Sequence, residues 1–334
     1  MEGGPVAILP RDSTKKGRNL ASIRRVRRAA SGKDPDRSLS GSGRAVRLAS
    51  VAGPPDSGAM EILRIAAFCD GPVGGNPAGV ALCDKLPEPA RMQAVAREVG
   101  YSETAFAAPV GDRWRVRYFA PAMEVPFCGH ATIALGAALA SAHGDGVYPL
   151  DLNEGAITVE GRRSEDGLTA AIQSPPTRSQ AAPEDLVAAA LDLFSWAPEH
   201  LDPRLLPALI EAGARHLLLA LADRSRLAAM AYDIEAGARL MRSHGLVTIS
   251  VVHAERLDYF HARNPFALGG VYEDPATGAA AAALGGYLRD CGWPHGGRIE
   301  IEQGVDMGVP CRLHAQIGAK PGSSIRVSGA ARMM

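Results

Sequence analysis

With 334 residues and 46% hydrophobic content, the chain can bury a large core, and its length favours two domains over one. Lys plus Arg and Asp plus Glu balance at 36 each, and no apolar run reaches the roughly 18 residues of a membrane span, so a soluble protein with no membrane partner is expected. Five cysteines (Cys69, Cys83, Cys128, Cys291, Cys311) form no CxxC and no repeated spacing, which indicates neither a zinc site nor a disulfide framework and fits a reducing, cytoplasmic setting.

The charge balance is uneven along the chain. Residues 1–59 carry twelve basic against five acidic residues, a net of +7 that leaves −7 for the remainder. They are rich in Arg, Ser, Gly and Pro without apolar periodicity, so a disordered basic tail is expected over 1–59. The run from Ile23 to Arg28 offers a contact for nucleic acid or an anionic surface, but short basic runs are as a rule simply solvated, and nucleic acid is not expected as a partner. No apolar segment of the kind a secretory signal needs follows the charges. Met60 directly precedes the first strand-like run, so folded structure is expected to begin there.

From Met60 the texture changes. Glu61 to Phe68 alternates as a strand, and Gly74-Gly75-Asn76-Pro77 is a turn. Pro89 to Val99 reads as an amphipathic helix stopped by Gly100. Tyr101 to Phe106 enters a strand with Glu103 set between Ser102 and Thr104, and Trp114 to Phe119 alternates as another strand. Glu124 to Leu139 follows: an extended end, a glycine turn at Cys128-Gly129-His130, and a helix of almost uniformly small apolar residues. A helix small on every face is built to be surrounded. Short strands are expected at Ala156 to Val159 and Leu168 to Gln173, and a linker at Pro175-Pro176, which places the domain boundary between 60–174 and 175–334. Beyond it come a helix from Glu184 to Phe194, a strand from His216 to Leu221, a helix from Ile234 to His244 and a strand from Val247 to His253. Tyr259 to Ala262 then leads through a loop to Glu273-Asp274-Pro275-Ala276-Thr277-Gly278 and a second small-residue helix.

The two helical stretches repeat one another. Cys128 to Leu139 set against Thr277 to Leu288, an offset of 149 residues, gives six identities in twelve, and Glu124 aligns with Glu273. Two similar domains, each wrapping a sheet around one helix, would bring two helix N-termini to a shared cleft. Paired N-termini hold carboxylate or enolate oxygens through backbone N–H groups and leave a side chain free to move a proton.

Residues 60 to 330 resemble the PhzF-like phenazine-biosynthesis isomerases, which share their fold with diaminopimelate epimerase and proline racemase. The resemblance rests on five ordered motifs: Gly75-Asn76-Pro77, Ser102 to Phe106, Cys128 to Thr132, Glu273 to Gly278 and Glu302-Gln303-Gly304. It implies an α+β fold of two pseudo-symmetric domains, the last strand returning to the first of them. It also implies cofactor-independent isomerisation of a small carboxylate-bearing substrate, with homodimers common among relatives. Glu103, by pattern alone also readable as a solvated edge carboxylate, is implied as the acid/base. His130, otherwise a helix-start histidine, and Asp274, otherwise a helix cap, are implied as further catalytic groups. The helix starts, Gly129, Ala131, Thr277, Gly278 and Ala279, are implied as substrate-binding positions.

Two departures from the family pattern stand out: Ala279 where Ser is usual, and Gly308-Val309-Pro310-Cys311 where Gly-Arg-Pro-Ser is usual. Cys128 invites comparison with the two-thiol racemases of this fold. No cysteine lies between Tyr272 and Asp290 to face it, so it reads as a packing residue. An amino-acid racemase or epimerase of the same fold and a non-catalytic ligand-binding protein remain alternatives. Neither a nucleotide-binding glycine motif nor a metalloprotease motif occurs, and the other eight histidines lack ligand spacing, so no cofactor and no metal are expected.

Overall fold

The computed structural model describes residues 60–165 and 167–334; the tail expected over 1–59 lies outside them. The first half comprises β1 (Leu63–Cys69), β2 (Asn76–Leu82), α1 (Pro89–Val99), β3 (Thr104–Val110), β4 (Arg113–Phe119), β5 (Glu124–Val125), α2 (Gly129–His143), β6 (Gly146–Leu152), β7 (Gly155–Ser164) and β8 (Gly167–Gln173). The second comprises β9 (Arg178–Ala181), α3 (Glu184–Phe194), β10 (Ala208–Glu211), β11 (Arg215–Ala220), α4 (Arg224–Ala228), α5 (Ile234–Ser243), β12 (Thr248–Arg256), β13 (Tyr259–Pro265), β14 (Glu273–Asp274), α6 (Gly278–Asp290), β15 (Arg298–Gln303), β16 (Cys311–Gln316) and β17 (Arg326–Met333).

Strand pairing repeats between the halves. In the first, β2 runs parallel to β3, β3 antiparallel to β4, β4 parallel to β6, and β6, β7 and β8 continue antiparallel. In the second, β11, β12, β13, β15, β16 and β17 follow the same order of parallel and antiparallel pairs. Each parallel crossover between β4 and β6, or β13 and β15, passes through the small-residue helix. Strand β17 also pairs with both β8 and β1, so the first sheet closes on itself around α2 through a strand from the other end of the chain.

Enclosure explains the composition of α2. Its residues from His130 to Ala140 are all buried, whichever way they face. Helix and sheet approach so closely that a Cβ on Gly136 would meet Val159 Cγ2 at 2.5 Å, and one on Gly161 would meet the Gly136 carbonyl oxygen at 2.1 Å. Larger residues at either position would force the helix off its sheet. One apolar core runs from Ile133, Leu135 and Leu139 of α2 through β17 to Leu284 and Leu288 of α6. The halves are therefore joined by burial as well as by a shared strand. Helices α3 and α5 pack outside the second sheet over Leu217, Leu219 and Ile249, and α1 packs outside the first over Phe106 and Phe119.

Candidate active site

The repeat found in the sequence has a structural register. Glu124 of β5 stands opposite Phe119 of β4, and Glu273 of β14 stands opposite Pro265 of β13. Each glutamate takes a two-pronged contact from the arginine two residues earlier on its partner strand. Arg117 donates to Glu124 at 2.7 and 2.5 Å, and Arg263 to Glu273 at 2.9 and 2.5 Å. These pairs fix the turns from which α2 and α6 start, at Gly129 and Gly278, which preserves the offset of 149. The two starts face each other, since a Cβ on Gly129 would lie 3.5 Å from Gly278 Cα and 3.6 Å from the Ala279 nitrogen. In helical geometry the first-turn N–H groups at both ends have no intrahelical acceptor, so two positive dipole ends converge on one place.

Glu103 sits beside that junction. It is the residue before β3, its carbonyl is held by the Gly79 N–H at 3.2 Å, and it is only 8% exposed. Its Oε2 lies 3.4 Å from His130 Nε2, to which Ser102 Oγ also comes at 3.2 Å. On the other edge of the imidazole, Cys128 Sγ lies 3.3 Å from Nδ1. Burial raises the Glu103 carboxyl above its ordinary range against the hydrogen bonds of Ser102 and Cys128, and burial lowers His130 against the opposing charge of Asp274. Both directions favour a neutral imidazole and a carboxyl that keeps its proton to higher pH than an exposed one.

Asp274 completes the group from the other half. Burial raises its carboxyl too, opposed first by His130 and by hydrogen bonds from Thr277 and Asn76. Asn76 Nδ2 donates to Asp274 Oδ1 at 2.7 Å and Thr277 Oγ1 to Oδ2 at 2.7 Å. Gln303 Nε2 donates to the Asp274 carbonyl at 2.6 Å, while its Oε1 accepts the Thr277 N–H at 3.2 Å. The three predicted catalytic residues are thus brought together. Among the predicted binding positions, Gly129, Gly278 and Ala279 line the junction, Ala131 is fully enclosed, and Thr277 is engaged with Asp274 and Gln303.

Sequence reading assigned no task to Asn76 or Gln303, although both stood inside quoted motifs. Their partners are 198 and 29 residues away, and only the fold reveals them. Cys128 is more than the packing residue expected, for it belongs to the core and also touches His130 and Glu103. Glu103, Cys128 and His130 present ligand atoms within 4.8 Å of one another, a set able to hold a metal ion. The thiol meets the imidazole at Nδ1 and the carboxylate meets it at Nε2.

Comparison with known proteins bears on the family and the fold. Residues 65–334 match the phenazine biosynthesis-like protein family, PhzC-PhzF. A trans-2,3-dihydro-3-hydroxyanthranilate isomerase of Pseudomonas aeruginosa is 32% identical over 79% of this chain and 94% of its own. An isomerase of Mesorhizobium japonicum, described as uncharacterized, is 31% identical over 77% and 91%. Among solved structures, a predicted epimerase of Pseudomonas aeruginosa superposes with a TM-score of 0.72 at 24% identity, over 83% of this chain and 97% of that one. A probable proline racemase of Agrobacterium radiobacter shares the fold at a TM-score of 0.58 and 11% identity, over 82% and 91%. A mixed fold of epimerase type, a family match along nearly all the described residues and relatives that are isomerases lead to one conclusion: the chain belongs to the phenazine biosynthesis-like family and is an isomerase.

Proposed function

We propose that the enzyme moves a proton between carbons of one small carboxylate-bearing substrate, with Glu103 as the acid/base. The observation that carries this reading is the placement of a buried Glu103 carboxyl 3.4 Å from His130, beside the point where the starts of α2 and α6 meet. Glu103 takes the proton from an activated carbon and returns it elsewhere on the same molecule. His130 and Asp274 hold the polar groups of the substrate, and the N–H groups at Gly129, Gly278 and Ala279 take the carboxylate or the charge that develops next to it. No cofactor has a part in this scheme. In the same reading the chain divides near Pro175 into two domains that act as the walls of the cleft. Because Glu103 and His130 are 8% and 4% exposed, the walls part to admit substrate. The protein is expected to be a cytoplasmic homodimer, which light scattering of the purified protein checks as to its assembly.

The name of the Pseudomonas relative supplies a first substrate to try, the cyclic amino-hydroxy acid trans-2,3-dihydro-3-hydroxyanthranilate. Incubation in deuterated water should place one solvent deuterium on a carbon of substrate or product. Glu103→Gln should lose about 10²–10⁴-fold in exchange rate. An unchanged rate in that variant would remove Glu103 from the role of base. A two-thiol racemase requires a second sulfur at the position equivalent to Cys128, where this fold has Thr277 as the residue before the helix.

A further inference from the structure

The turn that carries Asn76 rests on a pair of cysteines that the reaction does not use. Cys69 of β1 and Cys311 of β16 stand directly opposite each other as antiparallel partners. Such a pairing sets Cα atoms about 4.5–5.5 Å apart with both side chains on one face, within the roughly 4.4–6.8 Å that a disulfide spans. Both are enclosed, at 3% and 0% exposure, and their thiols donate to backbone carbonyls, Cys69 to Ala66 at 3.2 Å and Cys311 to Val309 at 3.3 Å. The turn lies against the pair: a Cβ on Gly75 would meet Cys69 Sγ at 2.6 Å, and the Gly75 N–H donates to the Pro310 carbonyl at 3.1 Å.

The two thiols differ in their neighbours. Burial raises both, Cys311 to about 12. Against that rise Cys69 has the Arg332 guanidinium, whose Nε is buried without a hydrogen-bond partner. The Arg332 charge offsets part of the burial that otherwise disfavours a thiolate at Cys69. Cys311 faces the negative charges of Asp274 and Asp70 instead.

We propose that Cys69 and Cys311 are a reversible redox pair that closes into an intramolecular disulfide when the protein meets a hydroperoxide. The Cys69 thiolate attacks the outer peroxide oxygen, the O–O bond breaks, and the alkoxide leaving group takes a proton to become the alcohol. The Cys311 sulfur then attacks the resulting sulfenic acid, the S–S bond forms, and hydroxide leaves with the Cys311 proton as water. Two thiols are oxidised by two electrons and one hydroperoxide is reduced to alcohol and water. The link would fasten β1 to β16 beneath the turn that presents Asn76.

The test uses the full chain treated in its native state with tert-butyl hydroperoxide, then unfolded in alkylating reagent and mapped without reduction. The expected result is one peptide joining Cys69 to Cys311, two hydrogens lighter than its two reduced peptides together, and recovery of both thiols with dithiothreitol. Exposed Cys291 reports that oxidant was sufficient. Cys69→Ser should abolish the link and leave Cys311 alkylated. The proposal fails if Cys291 is oxidised while Cys69 and Cys311 both stay free, or if either one pairs with a different cysteine.

Discussion

The two arginine–glutamate pairs that anchor the helix starts offer a controlled comparison, because the fold places them equivalently and buries them differently. The Arg263 and Glu273 side chains are 8% and 4% exposed, against 19% and 26% for Arg117 and Glu124. Arg263 also donates to the carbonyls of Leu227, Ala228 and Met230 at 2.9–3.3 Å, so it is held inside the protein whether or not Glu273 is charged. Glu273→Gln therefore leaves an uncompensated buried guanidinium, a change that costs about 3–5 kcal/mol. Glu124→Gln leaves Arg117 able to reach water and should cost about 1 kcal/mol. At about 2–4 °C per kcal/mol for a chain somewhat shorter than this one, the first variant should melt about 6–20 °C lower and the second about 2–4 °C lower. Urea unfolding followed by circular dichroism measures both, with an unchanged dependence on denaturant showing that the unfolded state is the same. Equal losses in the two variants would refute the argument that burial, not pairing, sets the cost.

Four further outcomes follow from the site. The exchange rate should rise with pH through a value above the ordinary carboxylate range, because burial raises Glu103 and only its ionised form takes a proton; a pH profile with its acid limb in the ordinary range would contradict this. Asn76→Ala removes a 2.7 Å bond to Asp274 worth about 1.5–3 kcal/mol, so the melting temperature should fall by about 3–12 °C and kcat should fall with it, and Asn76→Asp should not restore either. Cys128→Ala should lower exchange by less than about tenfold, since the thiol supports His130 and Glu103 without carrying the proton; loss on the scale of Glu103→Gln would favour a thiol base. His216 is fully enclosed and held down to about 4 while its unfolded value is 6.5; above 6.5 it adds no penalty, and stability falls by about 3 kcal/mol as the pH drops from there to about 4, a loss that His216→Gln should reduce in acid unfolding curves.

Local signals were legible where one element satisfied its own rules. Pro89 to Val99 and Glu184 to Phe194 are helices with the bounds read from the sequence, because a proline at or just before the start and one apolar face determine them without help. The small-residue helices were legible because only an enclosed helix tolerates that composition. Strand β6 escaped notice since Pro149 interrupts its alternation, and β2 was hidden behind the turn signal of Gly74 to Pro77, whose last two residues already belong to the strand. The site was legible as a set of motifs but not as a set of contacts. Asn76 to Asp274, or Gly129 to Gly278, are pairs far apart in sequence that only the shared β17 and the continuous core bring together.

The repeat also bears on the proposed single base. Residues that the duplicated scaffold makes equivalent have diverged in opposite directions. Cys128 and His130 correspond to Thr277 and Ala279 at the two helix starts, whereas Asp274, opposite Asn264, corresponds to Val125, opposite Tyr118. Counting back along the β3–β4 and β12–β13 registers, the place of Glu103 is taken by Thr248, which is 1% exposed and bonded to His216 at 2.7 Å. The groups proposed to move the proton, Glu103 and His130, therefore stand on one wall, and the other contributes Asp274 with its supports. A racemase needs an acid and a base on opposite faces of one carbon. Here the opposite wall has Thr248 and Ala279 where Glu103 and His130 would stand, with Asp274 as its carboxyl; in the proposed function Asp274 holds the substrate and Glu103 both removes the proton and returns it. In the proposed function that asymmetry goes with transfer between two carbons on one face of the substrate.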